Sequence, residues 1–232
     1  MDAVILAAGI GSRMQNRAKD TPKCLLNING TTLLERQIQL LLNNQIQTIY
    51  IVGGFQFQKL KQYIDSLHLQ QIILIENKDY FTTNNMYSLS LVEPFLKGKD
   101  FLWLNGDILF ENEIIQEILK PSFQNAIAVD ATCYFEESMK VSIQNNQIQA
   151  ISKEILPSNA SGTSIDLYRI SATASFDLFL KIQELLKENK KSWSEVALNA
   201  ILKLHFFYPC FIHSKWIEID DIEDLKLAQK IF

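Results

Sequence analysis

The sequence predicts an α/β fold of three layers, α/β/α, in which helices cover both faces of a mostly parallel central sheet. Short apolar runs alternate with amphipathic stretches over residues 1–120, a pattern typical of parallel strands joined by helices. At 232 residues, of which 47% are hydrophobic, the chain is long enough to bury a substantial core. No linker, repeat or low-complexity tract divides the sequence, so we expect one domain over residues 1–232.

The elements of the first half follow from the spacing of its apolar residues. Four short runs, β-branched or aromatic and bounded by polar residues or glycine, predict buried strands. They cover residues 3–6, 48–52, 72–75 and 101–104. Stretches with apolar residues three and four positions apart predict helices. These cover residues 33–42, 57–67, 87–96 and 111–120.

The second half has a different pattern of elements, because its first strands follow one another without helices between them. Four strands are predicted at residues 126–131, 140–143, 148–152 and 164–168. Asn145 and Asn146 predict a hairpin turn, because asparagine tolerates positive φ. The remaining elements are helices at 174–187 and 194–204, strands at 206–212 and 216–219, and a helix at 222–232. We expect this half to form a β-rich lid over the first.

The charge balance and the apolar pattern exclude several classes of protein. The formal net charge of −4 argues against a nucleic-acid-binding protein, which normally presents a basic face. The three cysteines are too widely spaced for a zinc or disulfide framework. The apolar run at residues 3–8 is too short for a signal sequence, and no run approaches the ~20 residues of a membrane helix. We therefore expect a cytoplasmic protein without nucleic-acid or membrane partners; a homo-oligomer stays open.

A glycine loop directly after the first predicted strand carries the strongest chemical signal. Residues 6–14 read Leu-Ala-Ala-Gly-Ile-Gly-Ser-Arg-Met, and Pro22-Lys23 follows. Glycines let backbone N–H groups approach phosphate oxygens without a Cβ in the way. Arg13 adds a planar fork for phosphate and Lys23 a mobile point charge. The dinucleotide fingerprint is excluded because Met14 stands in place of its third glycine, and the P-loop because Gly-Lys-[Ser/Thr] is absent.

This motif resembles the nucleotidyltransferase family that includes sugar-phosphate, molybdenum-cofactor and alcohol-phosphate cytidylyltransferases. The resemblance implies a Rossmann-like fold of the nucleotide-diphospho-sugar transferase type, with a nucleotide-binding half at residues 1–125 and an acceptor-binding half at 126–232. It also implies that the loop clamps a nucleoside triphosphate. The residues concerned are Leu6, Ala8, Gly9, Gly11, Ser12, Arg13 and Lys23.

Two aspartates are the candidate ligands for Mg²⁺. Asp107 follows the predicted strand at residues 101–104 and so lies at the carboxyl edge of a parallel sheet, where ligands of such folds bind. An alternative is that Asp107 caps the next helix, although that helix is predicted to begin nearer Glu111. Asp220 matches the metal-binding aspartate of the family's C-terminal motif, and Asp221 is free to cap the last helix.

The segment from Asn84 to Leu89 resembles the Asn-Asn-x-x-Ser-Leu element of phosphocholine and 2-aminoethylphosphonate cytidylyltransferases. The resemblance implies that Asn84, Asn85 and Ser88 bind the nucleotide. The alternative is an ordinary helix start, in which one asparagine is the N-cap. Gly53, which follows the second predicted strand, is expected to leave room for a flat base against the backbone.

Acceptor-side residues rest on the same resemblance, which assigns Lys153 to the acceptor phosphate. Residues 153–155 read Lys-Glu-Ile where sugar-type members often have Glu-Lys-Pro, which disfavours a sugar acceptor. A quaternary ammonium acceptor would require aromatic side chains and a carboxylate, although most aromatics in such a domain are core residues. The acceptor candidates are Tyr87, Glu136, Lys140, Lys153, Trp193 and Trp216.

The resemblance implies a CTP-dependent cytidylyltransferase that transfers CMP to a small phosphorylated or phosphonylated acceptor, of phosphocholine or 2-aminoethylphosphonate type, and releases pyrophosphate. Two alternatives stay open: a nucleotidyltransferase for a sugar 1-phosphate or another unusual phosphorylated acceptor, and a regulatory subunit that only binds nucleotide. The presence of both metal carboxylates argues against the regulatory subunit. The catalytic candidates are Arg13, Lys23, Asp107 and Lys153.

Overall fold

A sheet of nine strands organises the part of the chain that the computed structural model describes, which is residues 1–11, 13, 20–132 and 138–232. The strands of the chain are β1 (Asp2–Ala7), β2 (Asn27–Ile28), β3 (Thr31–Thr32), β4 (Ile49–Gly53), β5 (Ile72–Glu76), β6 (Phe101–Asn105), β7 (Ile108–Phe110), β8 (Ala126–Asp130), β9 (Lys140–Gln144), β10 (Gln147–Ser152), β11 (Gly162–Ile170), β12 (Tyr208–Phe211) and β13 (Trp216–Glu218). The helices are α1 (Leu33–Asn43), α2 (Phe57–Leu67), α3 (Asn85–Ser90), α4 (Glu93–Leu96), α5 (Asn112–Ile118), α6 (Ala172–Glu188), α7 (Ser194–Ile201) and α8 (Ile222–Ile231).

The parallel part of the sheet brings distant loops to one edge. Strand β1 lies between β4 and β6, β5 pairs with β4, and all of these pairs are parallel. Leu6 is in register with Asn105, so the chain leaves β1 and β6 at the same level. The Gly106 N–H donates a hydrogen bond of 2.8 Å to the Leu6 carbonyl. The glycine loop and Asp107 therefore begin side by side.

The strands of the second half extend this same sheet. Strand β11 pairs antiparallel with β6 on one side and with β8 and β9 on the other. The turn between β9 and β10 has Asn145 at φ 51° and Asn146 at φ 59°, which confirms the predicted hairpin. The expectation that these strands form a lid needs correction, because they continue the central sheet and so carry Asp130, Thr163 and Asp166 to the wall of the site.

Two independent cores cover the two faces of the sheet, which confirms the three layers. Alternate residues of β1 point to opposite sides, as the two-residue period of a strand requires. Val4 packs with α3, α6 and α7, and Ile5 packs with α1, α2 and α5. A smaller cluster that includes Ile28 and Leu225 holds α8 against β2 and β7.

Several short elements escape the sequence patterns. The predicted helix over residues 87–96 is two helices, α3 and α4, and Pro94 lies in the first turn of α4, where its missing N–H has no intrahelical partner to lose. Strands β2, β3 and β7 are two or three residues long, too short for a periodicity to register. The sequence predicts β13, but not its pairing with β7. The pairing of β7 with β13 positions the site, because it brings the segment after Trp216 close to the end of β6, where Asp107 lies.

No helix among the described residues is long and apolar enough to cross a membrane.

The packing face of α6 provides a test of this architecture. Leu178 is 0% exposed and belongs to the core that includes Trp103, whereas Leu180 on the same helix is 42% exposed. We expect Leu178→Ala to lower the free energy of unfolding by about 2–5 kcal/mol, because it leaves a cavity in the core. Leu180→Ala, the matched control, should cost less than about 1 kcal/mol. Urea unfolding followed by circular dichroism measures both values, and equal losses would contradict the assigned face.

Candidate active site

A cavity of about 850 Å³ lies at the carboxyl edge of the parallel strands. This volume is within the usual range for small-molecule sites. The glycine loop forms one part of its wall, with Leu6, Ala8, Gly9 and Gly11 among the lining residues. The loop residue Ser12 lies outside the described residues.

Two glycines allow the segments around this cavity to approach each other closely. Gly11 has φ +64°, a left-handed conformation that favours glycine. A Cβ on Gly106 would lie 2.9 Å from the Ala7 Cβ and 3.0 Å from the Leu6 carbonyl oxygen. Any larger residue at 106 would therefore push Asp107 away from the glycine loop.

Four charged side chains from distant segments meet in the cavity. The Lys23 ammonium lies 3.0 Å from Asp107 Oδ2 and 2.8 Å from Asp220 Oδ1. The Arg13 guanidinium lies 3.0 Å from the other oxygen of Asp220, Oδ2. Burial alone lowers the pKa of Lys23, but the Asp107 and Asp220 carboxylates raise it above its ordinary value. The two aspartates predicted to share a cation therefore face one another across a lysine.

Neither Asp107 nor Asp220 caps a helix, so both carboxylates are available to bind a cation. The N-cap of α5 is Glu111, so the alternative that Asp107 caps the helix is wrong. Asp221 caps α8: its carboxylate accepts hydrogen bonds from the N–H groups of Glu223 and Asp224, forming a capping box. Asp220 therefore extends its carboxylate into the cavity while its neighbour begins the helix.

Glu218 adds a third carboxylate that the sequence reasoning did not assign to the metal. One oxygen from each of Asp107, Glu218 and Asp220 lies within 4.8 Å of the others. Desolvation in the cavity, together with the charges of Asp107 and Asp220, raises the pKa of Glu218 to about 7. Glu218 and Asp220 flank the buried Ile219, and this spacing of two acids is the signal that would have identified Glu218.

The cluster fits a hard divalent cation. Carboxylate oxygens are the ligands that Mg²⁺ prefers. Within the described part of the chain, Asp107 Oδ1 is buried without a hydrogen-bond partner, although buried carboxylate oxygens are normally satisfied. This oxygen is therefore suited to bind a cation.

The asparagines and serine of α3 line the cavity but also hold the helix in place. Asn84 is the N-cap of α3 and accepts a hydrogen bond from the N–H of Asn85, as the alternative proposed. The side-chain Oδ1 of Asn85 accepts a hydrogen bond from the Ser194 N–H. The Ser88 hydroxyl accepts from the Nδ2 of Asn77, a buried residue of the cavity wall that the sequence reasoning missed.

The prediction for Gly53 requires correction. It does not belong to the cavity lining among the described residues. A Cβ on Gly53 would lie 2.5 Å from Leu60 Cδ2 and 3.1 Å from the ring of Phe57. Close packing of α2 on β4 therefore explains this glycine. Its neighbour Gly54 approaches the Ala8 carbonyl oxygen and Tyr80 instead.

Three of the predicted acceptor residues lie in the cavity wall: Lys153, Trp193 and Trp216. The Lys153 ammonium lies 4.5 Å from the centroid of the Trp193 ring, a cation–π distance. The Trp216 indole N–H donates a hydrogen bond of 2.7 Å to Asp130 Oδ2. The side chain of Lys153 is thus placed where it can meet an anionic ligand.

Two other acceptor predictions are not supported, since neither residue belongs to the cavity lining of the described chain. The Tyr87 hydroxyl donates a hydrogen bond of 2.9 Å to Asp79 Oδ2. Lys140 is 2% exposed and its ammonium lies 3.4 Å from the Ser138 carbonyl oxygen. Glu136 lies outside the described residues.

Two acids on the opposite wall, the part-buried Asp166 and the buried Glu195, were not among the assigned site residues. Asp166 on β11 and Glu195 on α7 line the cavity. Burial raises the pKa of both carboxyl groups, and the charge of Glu195 raises that of Asp166 further. A lone acidic residue in a strand or helix pattern carries no sign of burial, so no sequence pattern could identify these residues.

Comparisons with known proteins agree with this geometry. Over 97% of its length and 94% of the relative's, the chain is 29% identical to choline-phosphate cytidylyltransferase of Haemophilus influenzae. It is 30% identical to 2-aminoethylphosphonate cytidylyltransferase of Lancefieldella rimae, covering 58% of this chain and 50% of that one. The structure of the inositol-1-phosphate CTP transferase from T. maritima superimposes with a TM-score of 0.83 at 21% identity, over 99% of this chain and 95% of that one.

The model of the MobA-like NTP transferase domain matches residues 3–150. This match includes the glycine loop, Lys23 and Asp107, and it spans more than half of the chain. The chain therefore belongs to the MobA-like NTP transferase domain family and is a nucleotidyltransferase.

Proposed function

We propose that the protein transfers CMP from CTP to a small phosphorylated or phosphonylated acceptor and releases pyrophosphate. The observation that carries the proposal is the meeting of Lys23, Asp107 and Asp220 beside the glycine loop. The choice of CTP is supported by the names of the relatives, which are cytidylyltransferases.

The reaction needs no general base on the protein. An oxygen of the acceptor's phosphate or phosphonate group attacks the α-phosphorus of CTP, the bond from that phosphorus to the bridging oxygen breaks, and pyrophosphate leaves. A phosphomonoester has a second pKa near ~6, so it is largely dianionic at neutral pH. The nucleophile therefore arrives already deprotonated.

Repulsion between anions is the main obstacle. Two unit charges about 4 Å apart repel by roughly 4 kcal/mol at an effective dielectric constant near 20. Arg13 and Lys23 neutralise carboxylates in the ligand-free site, and we assign them to the charge of the departing β- and γ-phosphates. Lys153, held over the face of Trp193, neutralises the acceptor phosphate and so favours its approach.

Asp107, Glu218 and Asp220 would hold Mg²⁺. When bound, the ion supplies Lewis-acid neutralisation of phosphate oxygens. The role of the carboxylates is to fix its position at the edge of β6.

Removing one charged side chain from the Lys23–Asp107–Asp220 cluster tests the role of this cluster in turnover. We expect Lys23→Ala or Asp107→Asn to lower kcat by about 10²–10³, the usual loss for one charge-stabilising group. Asp65→Asn is the matched control, since Asp65 lies on the surface in an ion pair with Lys61. Pyrophosphate release measures the rates, and near-normal rates in both site variants would refute the assigned roles.

The metal assignment has its own test. We expect EDTA to abolish pyrophosphate release and added Mg²⁺ to restore it. Asp220→Asn should weaken the binding of Mn²⁺, used as a paramagnetic substitute, by at least about tenfold. Electron paramagnetic resonance measures the free ion, and Asp177→Asn serves as the control because Asp177 pairs with His205 away from the cavity. Equal affinity in wild type and Asp220→Asn would overturn this ligand.

Substrate identity is tested by a panel of four nucleoside triphosphates against phosphocholine, 2-aminoethylphosphonate, glycerol phosphate, inositol phosphate and hexose 1-phosphates. We expect CTP with an alcohol phosphate or aminoalkylphosphonate to give a kcat/KM at least about tenfold above any pair with UTP. A tenfold ratio corresponds to about 1.4 kcal/mol, which one or two base-specific hydrogen bonds supply. Preferential turnover of UTP with a hexose 1-phosphate would contradict the proposal.

A further inference from the structure

The acids Asp166 and Glu195 have no role in the transfer of the nucleotidyl group described above. Asp166 comes from β11 and Glu195 from the first turn of α7, and Glu195 is 3% exposed. Both line the cavity that also contains Lys23, Asp107 and Asp220. They define a second acidic wall, which we call the Asp166–Glu195 wall.

Uncharged groups hold the two carboxyl groups beside each other. The Tyr168 hydroxyl lies 2.8 Å from Asp166 Oδ1 and 3.3 Å from Glu195 Oε1. Asn105 Nδ2 donates a hydrogen bond of 2.8 Å to Asp166 Oδ2, and the Ser194 hydroxyl lies 3.3 Å from Glu195 Oε2. Among the salt bridges of the described residues, neither acid has a lysine or arginine partner. The described residues therefore place no paired positive charge in the wall.

Such an arrangement is costly unless a cation completes it. A buried carboxylate without a counter-charge is strongly disfavoured, and burial accordingly raises the pKa of both groups. A cationic group between them would restore their ionised form through direct attraction. No described residue supplies such a group, so a cationic group of a bound ligand is the partner that this wall would accept.

An independent observation points to a ligand at the same place. Thr163 is 4% exposed and lines the cavity close in sequence to Asp166 on β11. Its hydroxyl is buried without a hydrogen-bond partner among the described residues. Buried hydroxyl groups are normally satisfied, so this group is available to a bound molecule.

The polar surroundings indicate which kind of cation fits. A quaternary ammonium group has no N–H and binds best to the faces of aromatic rings. In the described part of the cavity wall, the Trp193 ring already faces the Lys153 ammonium at 4.5 Å, and the Trp216 edge is bound to Asp130. The Asp166–Glu195 wall offers carboxylate and hydroxyl oxygens instead. These are acceptors for the three N–H donors of a primary ammonium group.

The wall also lies close to the reaction centre. Asn105, which binds Asp166, is two residues before Asp107 on the same strand end. The wall and the proposed metal ligands therefore lie at the same end of β6, so one small acceptor can contact both.

We propose that the Asp166–Glu195 wall binds a protonated primary amine of the acceptor, so that the acceptor is a short aminoalkyl phosphate or phosphonate. This inference rests on the proposed transfer of CMP to a phosphorus-bearing acceptor. It makes Asp166 and Glu195 the residues that determine acceptor specificity.

The experiment compares acceptors that differ only at the end remote from phosphorus. The wild-type enzyme is assayed with CTP and three acceptors: the 2-aminoethyl compound, its isosteric propyl analogue and its N,N,N-trimethyl analogue. Each is supplied as phosphate and as phosphonate, which distinguishes these two sources of the same chemistry. We expect kcat/KM for the amine to exceed that of the propyl analogue by about 10- to 100-fold, the worth of charge-assisted hydrogen bonds. The trimethyl analogue should lie between them.

Variants separate recognition from a purely structural role. Asp166→Asn and Glu195→Gln should bring the amine-to-propyl ratio of kcat/KM towards one, because each removes a carboxylate that binds the amine. A structural defect would instead lower both rates together and preserve the ratio, which would count against the proposal. Asp177→Asn, remote from the cavity, should leave the ratio unchanged.

The wild-type comparison decides the matter even if a variant fails to fold. Turnover of the propyl analogue equal to that of the amine, or a higher value for the trimethyl analogue, overturns the amine site and leaves the proposed transfer reaction intact. Turnover with no acceptor in the panel overturns the transfer reaction, and the amine site with it.

Discussion

The Lys23 ammonium holds two carboxylates that the chain must bring together from 84 and 197 residues away. This ion bridge sets the geometry of the whole site, because Asp107 and Asp220 face each other only if β6 and the segment after β13 end at the same place. In the ligand-free site, this ion bridge also pairs the negative charges of Asp107 and Asp220 with the positive charge of Lys23. Binding of phosphate groups and a divalent cation therefore exchanges one set of ion pairs for another, which limits the desolvation that binding requires.

The fold supplies this meeting through backbone constraints rather than through the charges. Parallel pairing of β1 with β6 fixes the level at which the glycine loop and Asp107 leave the sheet. Gly106 permits the two segments to approach within van der Waals contact. The short pairing of β7 with β13 then directs Glu218 and Asp220 towards Asp107, and the capping box of Asp221 holds the chain there.

The sequence predicted those parts of the molecule that depend on local patterns. The strands at 3–6 and 101–104 were identifiable because they are short, apolar and bounded by polar residues or glycine, and the positions of Lys23, Asp107 and Asp220 followed from motif resemblance. Strand β7 was not, since three residues are too few to show a period, and its pairing with the predicted strand β13 depends on non-local contacts. Gly53 was misassigned because a glycine signals close approach without indicating whether the neighbour is a ligand or, as here, Leu60.

The burial of polar residues could not be predicted from the sequence. Asp166 and Glu195 become neighbours only through the packing of α7 beside β11, and their shared contact is the Tyr168 hydroxyl. Lys140 was expected at the acceptor site because of its sequence context. Its ammonium is instead buried beside its own backbone segment. Burial of a charged group is decided by non-local contacts, which a single sequence does not display.

The most direct measurement of the central claim is a crystal structure of the protein with CTP and Mn²⁺, with the ion located by its anomalous scattering. The account predicts one ion within roughly 2.3 Å of carboxylate oxygens of both Asp107 and Asp220, with the Lys23 ammonium moved from its place between them onto a phosphate oxygen. An ion bound elsewhere, with Lys23 still bridging the two aspartates in the presence of CTP, would contradict it.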